Sequence, residues 1–321
     1  MEYDNSLMVG ASRAIAQCMG AKVDEVGLIV TDEKQLSLAM HFAKAARQLD
    51  IETLLVEMTT RKMHGEEPPA PIAAVLGVVD FALLVTSTSL THTRARGEAT
   101  KAGVRIASMP MLSPEIVRGP LIADYNEIKR ISENLRDLLS KASEAVILSD
   151  KGTQLTLNIS GREGLADTGI LDQPGAFGNL PAGEALTAPV ELQGSGKLVI
   201  DGVMAGVGVL SKEIVLTIKE GKIIDISGGD EAGQLEKILS EADDNAYRVA
   251  ELGIGTNKEA SLMGNLLVDE KVYGTVHIGF GDNAHMGGIQ QSKTHLDGVV
   301  LAPTLILDGK IIIERGVHIN G

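Results

Sequence analysis

The run Val26-Gly27-Leu28-Ile29-Val30-Thr31-Asp32, the amphipathic stretch from Lys34 to Leu49, and then Thr53-Leu54-Leu55-Val56 decide the fold class. Val26 to Val30 is an unbroken apolar run of strand length, as expected of a strand buried on both faces. Asp32 offers a carboxylate to cap the helix that follows, and Thr53 to Val56 reads as a second strand. The alternation continues with a helix over 71–76, a strand over 81–85, a helix over 90–102 ended by Gly103, and a strand over 104–107. Strands separated by helices require right-handed crossovers, hence a mostly parallel, doubly wound sheet with helices on both faces. A helix including 132–141 then leads to a strand over 145–148.

Beyond Gly152 the texture changes to β-branched alternation and many glycines. Segments 154–159, 197–201 and 213–219 read as strands by period two. Glu220-Gly221 turns the last of these into 222–226, and Asp308-Gly309 joins 304–307 to 310–314 as hairpins. One helix, about 231–243, interrupts them. The expected division is an N-terminal α/β domain over 1–150 and a β-rich α+β domain over 151–321.

The 321 residues suffice for two sizeable cores. Aromatics are 2 % of the chain and tryptophan is absent, so those cores must be aliphatic. A net charge of −14 argues against nucleic-acid or anionic-membrane partners, because phosphates need a basic surface. The single cysteine, Cys18, excludes an intrachain disulfide and reads as a small core residue in a helical run. With no leader-like N-terminus and no apolar run of membrane-spanning length, a cytoplasmic location is expected.

The first strand is followed by Thr31-Asp32-Glu33 rather than a glycine-rich loop, which counts against dinucleotide binding. The loop Thr86-Ser87-Thr88-Ser89-Leu90-Thr91-His92-Thr93-Arg94 sits after a strand, at the sheet edge where open α/β sheets bind ligands. His92 and Arg94 are candidate substrate contacts there. The alternative is a Ser/Thr-capped helix start with solvated arginines.

Chemistry concentrates later in the chain. Gly274-Thr275-Val276-His277-Ile278-Gly279-Phe280-Gly281 and Ser292-Lys293-Thr294-His295-Leu296-Asp297 bring two imidazoles and a carboxylate close in sequence. Such a set suits a divalent metal. In an extended strand His295 and Asp297 point to one face. A satisfied core histidine at 277 and a plain turn at Asp297-Gly298 are the competing reading. Glu184 and Glu251 are single carboxylates among small and apolar residues, where an ionised group needs a partner or a metal.

The ordered set Asn179-Leu180-Pro181-Ala182-Gly183-Glu184-Ala185-Leu186-Thr187-Ala188-Pro189, Glu251 before a glycine-rich segment, His277-Ile278-Gly279-Phe280-Gly281, and Ser292 to Asp297 resembles the M29 metalloaminopeptidases of the aminopeptidase T type. It equally resembles their relatives, the 2,5-dihydroxypyridine 5,6-dioxygenases. The similarity is strongest over 170–300. The peptidase resemblance implies Glu184, Glu251, His277, His295 and Asp297 as ligands of two zinc, cobalt or manganese ions. These would activate water to release an N-terminal residue or split a small amide. It also implies a homodimer acting on a short peptide or small molecule.

Three departures from the peptidase pattern bear on that implication. Gly183 stands where the peptidases tend to have a second acid. No tyrosine follows the first histidine, where His285 is the candidate substitute. The spacing of His277 and His295 is also short. A reduced set of His277, His295 and Asp297 would instead be the two-His-one-carboxylate arrangement of Fe(II) oxygenases, leaving Glu184 and Glu251 for substrate or proton transfer. The hydrolase is the preferred expectation. A ring-cleaving dioxygenase with one Fe(II) and a non-enzymatic metal or small-ligand binding protein are the alternatives.

Overall fold

The computed structural model describes residues 4–319. One compact unit comprises the chain up to Asn126 together with Gly169–Ala182, and the other comprises Glu127–Thr168 and the chain from Gly183 on.

In the first unit, strands Val26–Asp32, Glu52–Met58, Phe81–Val85 and Arg105–Ser108 form a parallel sheet. Its edge is extended in parallel by Phe177–Asn179. The strand order 2-1-3-4, counted along the chain, reverses direction between the first and third strands. Leu28, Val30, Ala82, Leu84 and Ile106 share a core with Ile72, Leu76 and Ala99 of two crossover helices. Ile29 and Leu83, of opposite parity, are equally buried, so both faces are covered. The doubly wound reading therefore holds, with shifted helix starts. The second helix is Leu36–Gln48, begun after Asp32 has closed a turn by accepting from the Lys34 and Gln35 amides. The helix expected from residue 90 begins at Arg94, because Thr93 caps it.

The boundary expected at 150 is displaced. Helix Tyr125–Lys141 sends Ile131, Leu135 and Leu139 into the second unit's core, alongside Ile147 and Leu155. Strand Glu144–Leu148 pairs there with Gln154–Asn158 and Thr304–Leu307. Residues 169–182 return to the first unit because the Phe177 strand completes its sheet.

The second unit holds an eight-stranded and a seven-stranded sheet that contribute to one aliphatic core, joined by helix Asp230–Ala242. Both expected hairpins are present. Glu220 and Gly221, and likewise Asp308 and Gly309, have positive φ, as a two-residue turn matched to strand twist requires.

Candidate metal centre

Strands Glu184–Thr187, Val249–Gly255, Val276–Gly281 and His295–Val300 run side by side and antiparallel. Period two then sorts their side chains. Ala185, Leu252, Ile254, Ile278, Phe280 and Val300 enter the aliphatic core. The opposite parity presents Glu184, Glu251, His277, His295 and Asp297. Register completes the convergence: Glu184 lies opposite Gly255, His277 opposite Gly253, and Gly279 between Glu251 on one side and Asp297 on the other.

Glu251 is the hub. Its Oε1 lies 3.2 Å from His277 Nε2 and its Oε2 lies 3.0 Å from His295 Nε2. Asp297 Oδ1 is also 3.0 Å from His295 Nε2, and Glu184 Oε2 is 3.5 Å from His277 Nε2. The other nitrogen of His295 is 2.7 Å from the Asp282 carbonyl. A carbonyl only accepts, so Nδ1 carries a proton, and Nε2 of the neutral ring turns its lone pair toward two carboxylates. That arrangement is repulsive unless a proton or a cation lies between them.

Gly279 makes the convergence possible. A Cβ at this position would lie 2.7 Å from Glu251 Cβ, 2.8 Å from Asp297 Oδ1 and 2.9 Å from His295 Cε1. Gly253 similarly leaves room for the His277 ring, whose Nε2 would be 1.9 Å from an added Cβ. Both are close-approach glycines of the kind a site on a flat sheet face needs.

Three residues were not foreseen from the sequence. Lys271 Nζ lies 2.5 Å from Glu184 Oε1, 2.8 Å from Glu270 Oε1 and 3.5 Å from Asp167 Oδ2, with its side chain only 4 % exposed. Glu270 also forms a possible metal triplet with His277 and Asp297. Adjacent Glu270-Lys271 reads as a solvated pair in sequence, because nothing local shows that the lysine is buried. Glu270 also supplies a further carboxylate from a part of the chain unrelated to Gly183.

The electrostatics reflect crowded negative charge. Burial pushes Glu184 up to about 8, against the pull of Lys271 and with added pressure from Glu270 and Glu251. Burial also opposes ionisation of Glu251, but hydrogen bonds from His277 and His295 outweigh it and hold the group well below the usual carboxylate range. Burial would lower both histidines. Glu251 nonetheless lifts His277 to about 9, with Glu184 and Asp297 adding to the effect. Asp297 and then Glu251 lift His295 to about 12. The carboxylates around them thus favour the charged form of both imidazoles.

The remaining candidates make none of these contacts. His285 is exposed on the turn Ala284–Met286, with Nδ1 3.2 Å from Asp282 Oδ1, and its ring is edge-on to His295 at 6.0 Å. His92 and Arg94 are exposed in the first unit, at the start of the helix capped by Thr93, and Arg94 pairs with Glu98.

The residues fit a divalent metal on structural grounds. Glu184 Oε2 is buried without a hydrogen-bond partner, Gly279 leaves a cradle that a Cβ would fill, and the donors are imidazole and carboxylate. Compatible triplets are Glu184, Glu251 and His277; Glu251, His295 and Asp297; and Glu270, His277 and Asp297. The triad of His277, His295 and Asp297 alone does not form such a triplet among the described residues, because Glu251 intervenes between the two rings.

The family model described as NicX, 2,5-dihydroxypyridine 5,6-dioxygenase, matches residues 7–320. The chain belongs to the 2,5-dihydroxypyridine 5,6-dioxygenase family. A curated relative, the 2,5-dihydroxypyridine 5,6-dioxygenase of Pseudomonas putida KT2440, is 26 % identical over 247 residues, covering 73 % of this chain and 70 % of its own length. A solved structure of 2,5-dihydroxypyridine dioxygenase from Pseudomonas putida KT2440 superposes with a TM-score of 0.81 at 18 % identity, over 100 % of this chain and 99 % of that one. Wild-type AmpT from Thermus thermophilus superposes with a TM-score of 0.72 at 15 % identity, over 98 % and 99 %. At these identities the superpositions show a shared fold. The hydrolase preferred on sequence gains only that fold-level support, whereas the dioxygenase alternative gains the family match. No helix among the described residues is long and apolar enough to cross a membrane.

Proposed function

We propose that this protein is a non-haem Fe(II) dioxygenase that opens a small hydroxylated aromatic or heteroaromatic ring. The observation that carries the reading is a buried imidazole-carboxylate cluster in a chain matched over residues 7–320 by a dioxygenase family model. Glu251, His277, His295 and Asp297 would hold the metal. Bound there, ferrous iron supplies the one-electron chemistry that lets dioxygen react with a closed-shell ring.

The protein's own contribution is orientation and proton handling. The Asp282 carbonyl fixes the His295 tautomer, so that Nε2 is the donor atom facing inward. Glu251 ties the two imidazoles together through its two oxygens. The ring hydroxyl of a substrate must lose a proton as it binds as an anion. His285, edge-on to His295 and open to solvent, is placed to accept that proton at an imidazole nitrogen and pass it to bulk water.

Protein purified without oxygen and reconstituted with Fe(II) should consume oxygen mole for mole with the loss of 2,5-dihydroxypyridine absorbance. His295→Ala should lose metal affinity by more than the ~10–100-fold typical of outer-shell changes. Release of amino acid from a peptide panel under strict anaerobiosis, without oxygen-dependent ring opening, would overturn the reading in favour of the hydrolase. His92 and Arg94 remain proposed substrate contacts. Arg94→Ala should raise KM and leave metal content unchanged if the assignment is right.

A further inference from the structure

We propose that the Lys271 ammonium stands where a second divalent cation would otherwise bind, and so restricts this carboxylate cluster to a single metal. The inference rests on the metal-centre reading above, though not on the reaction assigned to it.

The geometry is that of a carboxylate bridge between a fixed cation and a candidate metal ligand. Glu184 presents Oε1 to Lys271 Nζ at 2.5 Å and Oε2 to His277 Nε2 at 3.5 Å. Glu270 supplies a second carboxylate, reaching Lys271 at 2.8 Å and also grouping with His277 and Asp297 as potential metal ligands. In dinuclear hydrolases, bridging carboxylates span two metals about 3.5–4 Å apart in this manner. Here one of the two positions is filled by the chain itself. An ammonium carries three N–H donors, and Lys271 meets three carboxylates, Glu184, Glu270 and Asp167.

The lysine is built in rather than adventitious. Its backbone carbonyl accepts from the Asn257 amide at 2.9 Å, and its own amide donates to Val268 at 2.9 Å. Gly255, opposite Glu184 in the sheet, lets this segment lie against the strand. A Cβ there would meet the Val272 carbonyl oxygen at 2.0 Å and the Lys271 carbonyl carbon at 2.8 Å. With its side chain 4 % exposed and three carboxylates around Nζ, the ammonium is held inside the cluster. Charge gives the same answer: one fixed monovalent cation offsets part of the carboxylate excess, leaving Glu251, His277, His295 and Asp297 to the metal.

The test is a metal count, independent of turnover. The full-length protein is titrated anaerobically with Mn(II) or Co(II), desalted and assayed by elemental analysis, with Mn(II) spectra read for coupling between paired ions. The wild type should saturate at about one metal per chain, and Lys271→Met at about two, with spin coupling. Lys271→Gln is the second neutral variant, to be used where the first does not fold. Saturation of the wild type at two metals overturns the inference whatever the variants do, and so does a folded neutral variant that stays at one. One metal in the wild type and two in the variant, with no oxygen-dependent ring opening, would refute the dioxygenase and leave this inference standing. A wild type that binds no metal refutes both.

Discussion

Two polar regions of this molecule are built on β-sheets, and they differ in how their charge is satisfied. At the carboxyl ends of the parallel strands, Asp32 is fully buried, yet its Oδ2 accepts from the Ser87 amide and hydroxyl at 2.7 Å each. Its Oδ1 accepts from the Lys34 and Gln35 amides. Ser89, Thr91 and Ser108 chain their hydroxyls at 2.8 Å, and Glu67 accepts from the Arg94 and Ala95 amides at the helix start. On the antiparallel sheet face of the second unit, buried carboxylates outnumber cations, and Glu184 Oε2 and His277 Nδ1 accept or donate no hydrogen bond. A polar cluster that closes on itself stabilises a loop. One that converges with charge left over is ready for a cation.

The largest effect expected from breaking this contrast is at Gly279. Gly279→Ala drives a methyl into Asp297, His295 and Glu251. Metal content should fall at least ~10-fold, with ~1–3 kcal/mol lost from urea denaturation. A variant that keeps its metal would show that the cradle is not tight.

The next effect is a pH dependence confined to the metal-free protein. His277 is raised from 6.5 to about 9 and Glu184 from 4.5 to about 8, so both bind protons more tightly when folded. Stability from such groups is fully present below the unfolded pKa values and is lost as pH rises through the folded ones. The metal-free Tm should therefore fall as pH rises from 5 to 9.5, while added metal stabilises more over the same range. A flat metal-free profile would show that the excess charge is compensated by some other route.

The smallest effect belongs to the self-satisfied cluster around Asp32. Ser87→Ala removes one of two donors to Asp32 Oδ2. It should cost ~1–2 kcal/mol in denaturant unfolding and leave the metal count unchanged. A change in metal content would link the two regions and undo the contrast.

Much of this architecture was legible in local pattern. Apolar runs such as Val26 to Val30 and Phe81 to Val85 have strand length, and Glu220-Gly221 and Asp308-Gly309 carry the positive φ of hairpin turns. The boundary at 150 was misplaced because Ile131, Leu135 and Leu139 look alike whichever core they enter. Residues 177–179 are too short to announce a returning strand. At the site, His277, His295, Asp297, Glu184 and Glu251 could be named from their types and setting. Glu270, Lys271 and Asp167 could not, since burial of a charge depends on strands distant in sequence.

The sequence by itself determined which side chains share a face, because strand alternation has a period of two and is a local property. It also determined an aliphatic, acidic chain carrying imidazoles and carboxylates of the types that bind divalent metals. Only the tertiary structure decided how those donors meet. Antiparallel register sets Glu251 between His277 and His295, glycine at 279 lets three strands close on one point, and the approach of Val272 to Gly255 carries Lys271 into the cluster. Register and close approach come from pairing between distant segments, so they exist only once the sheet has formed.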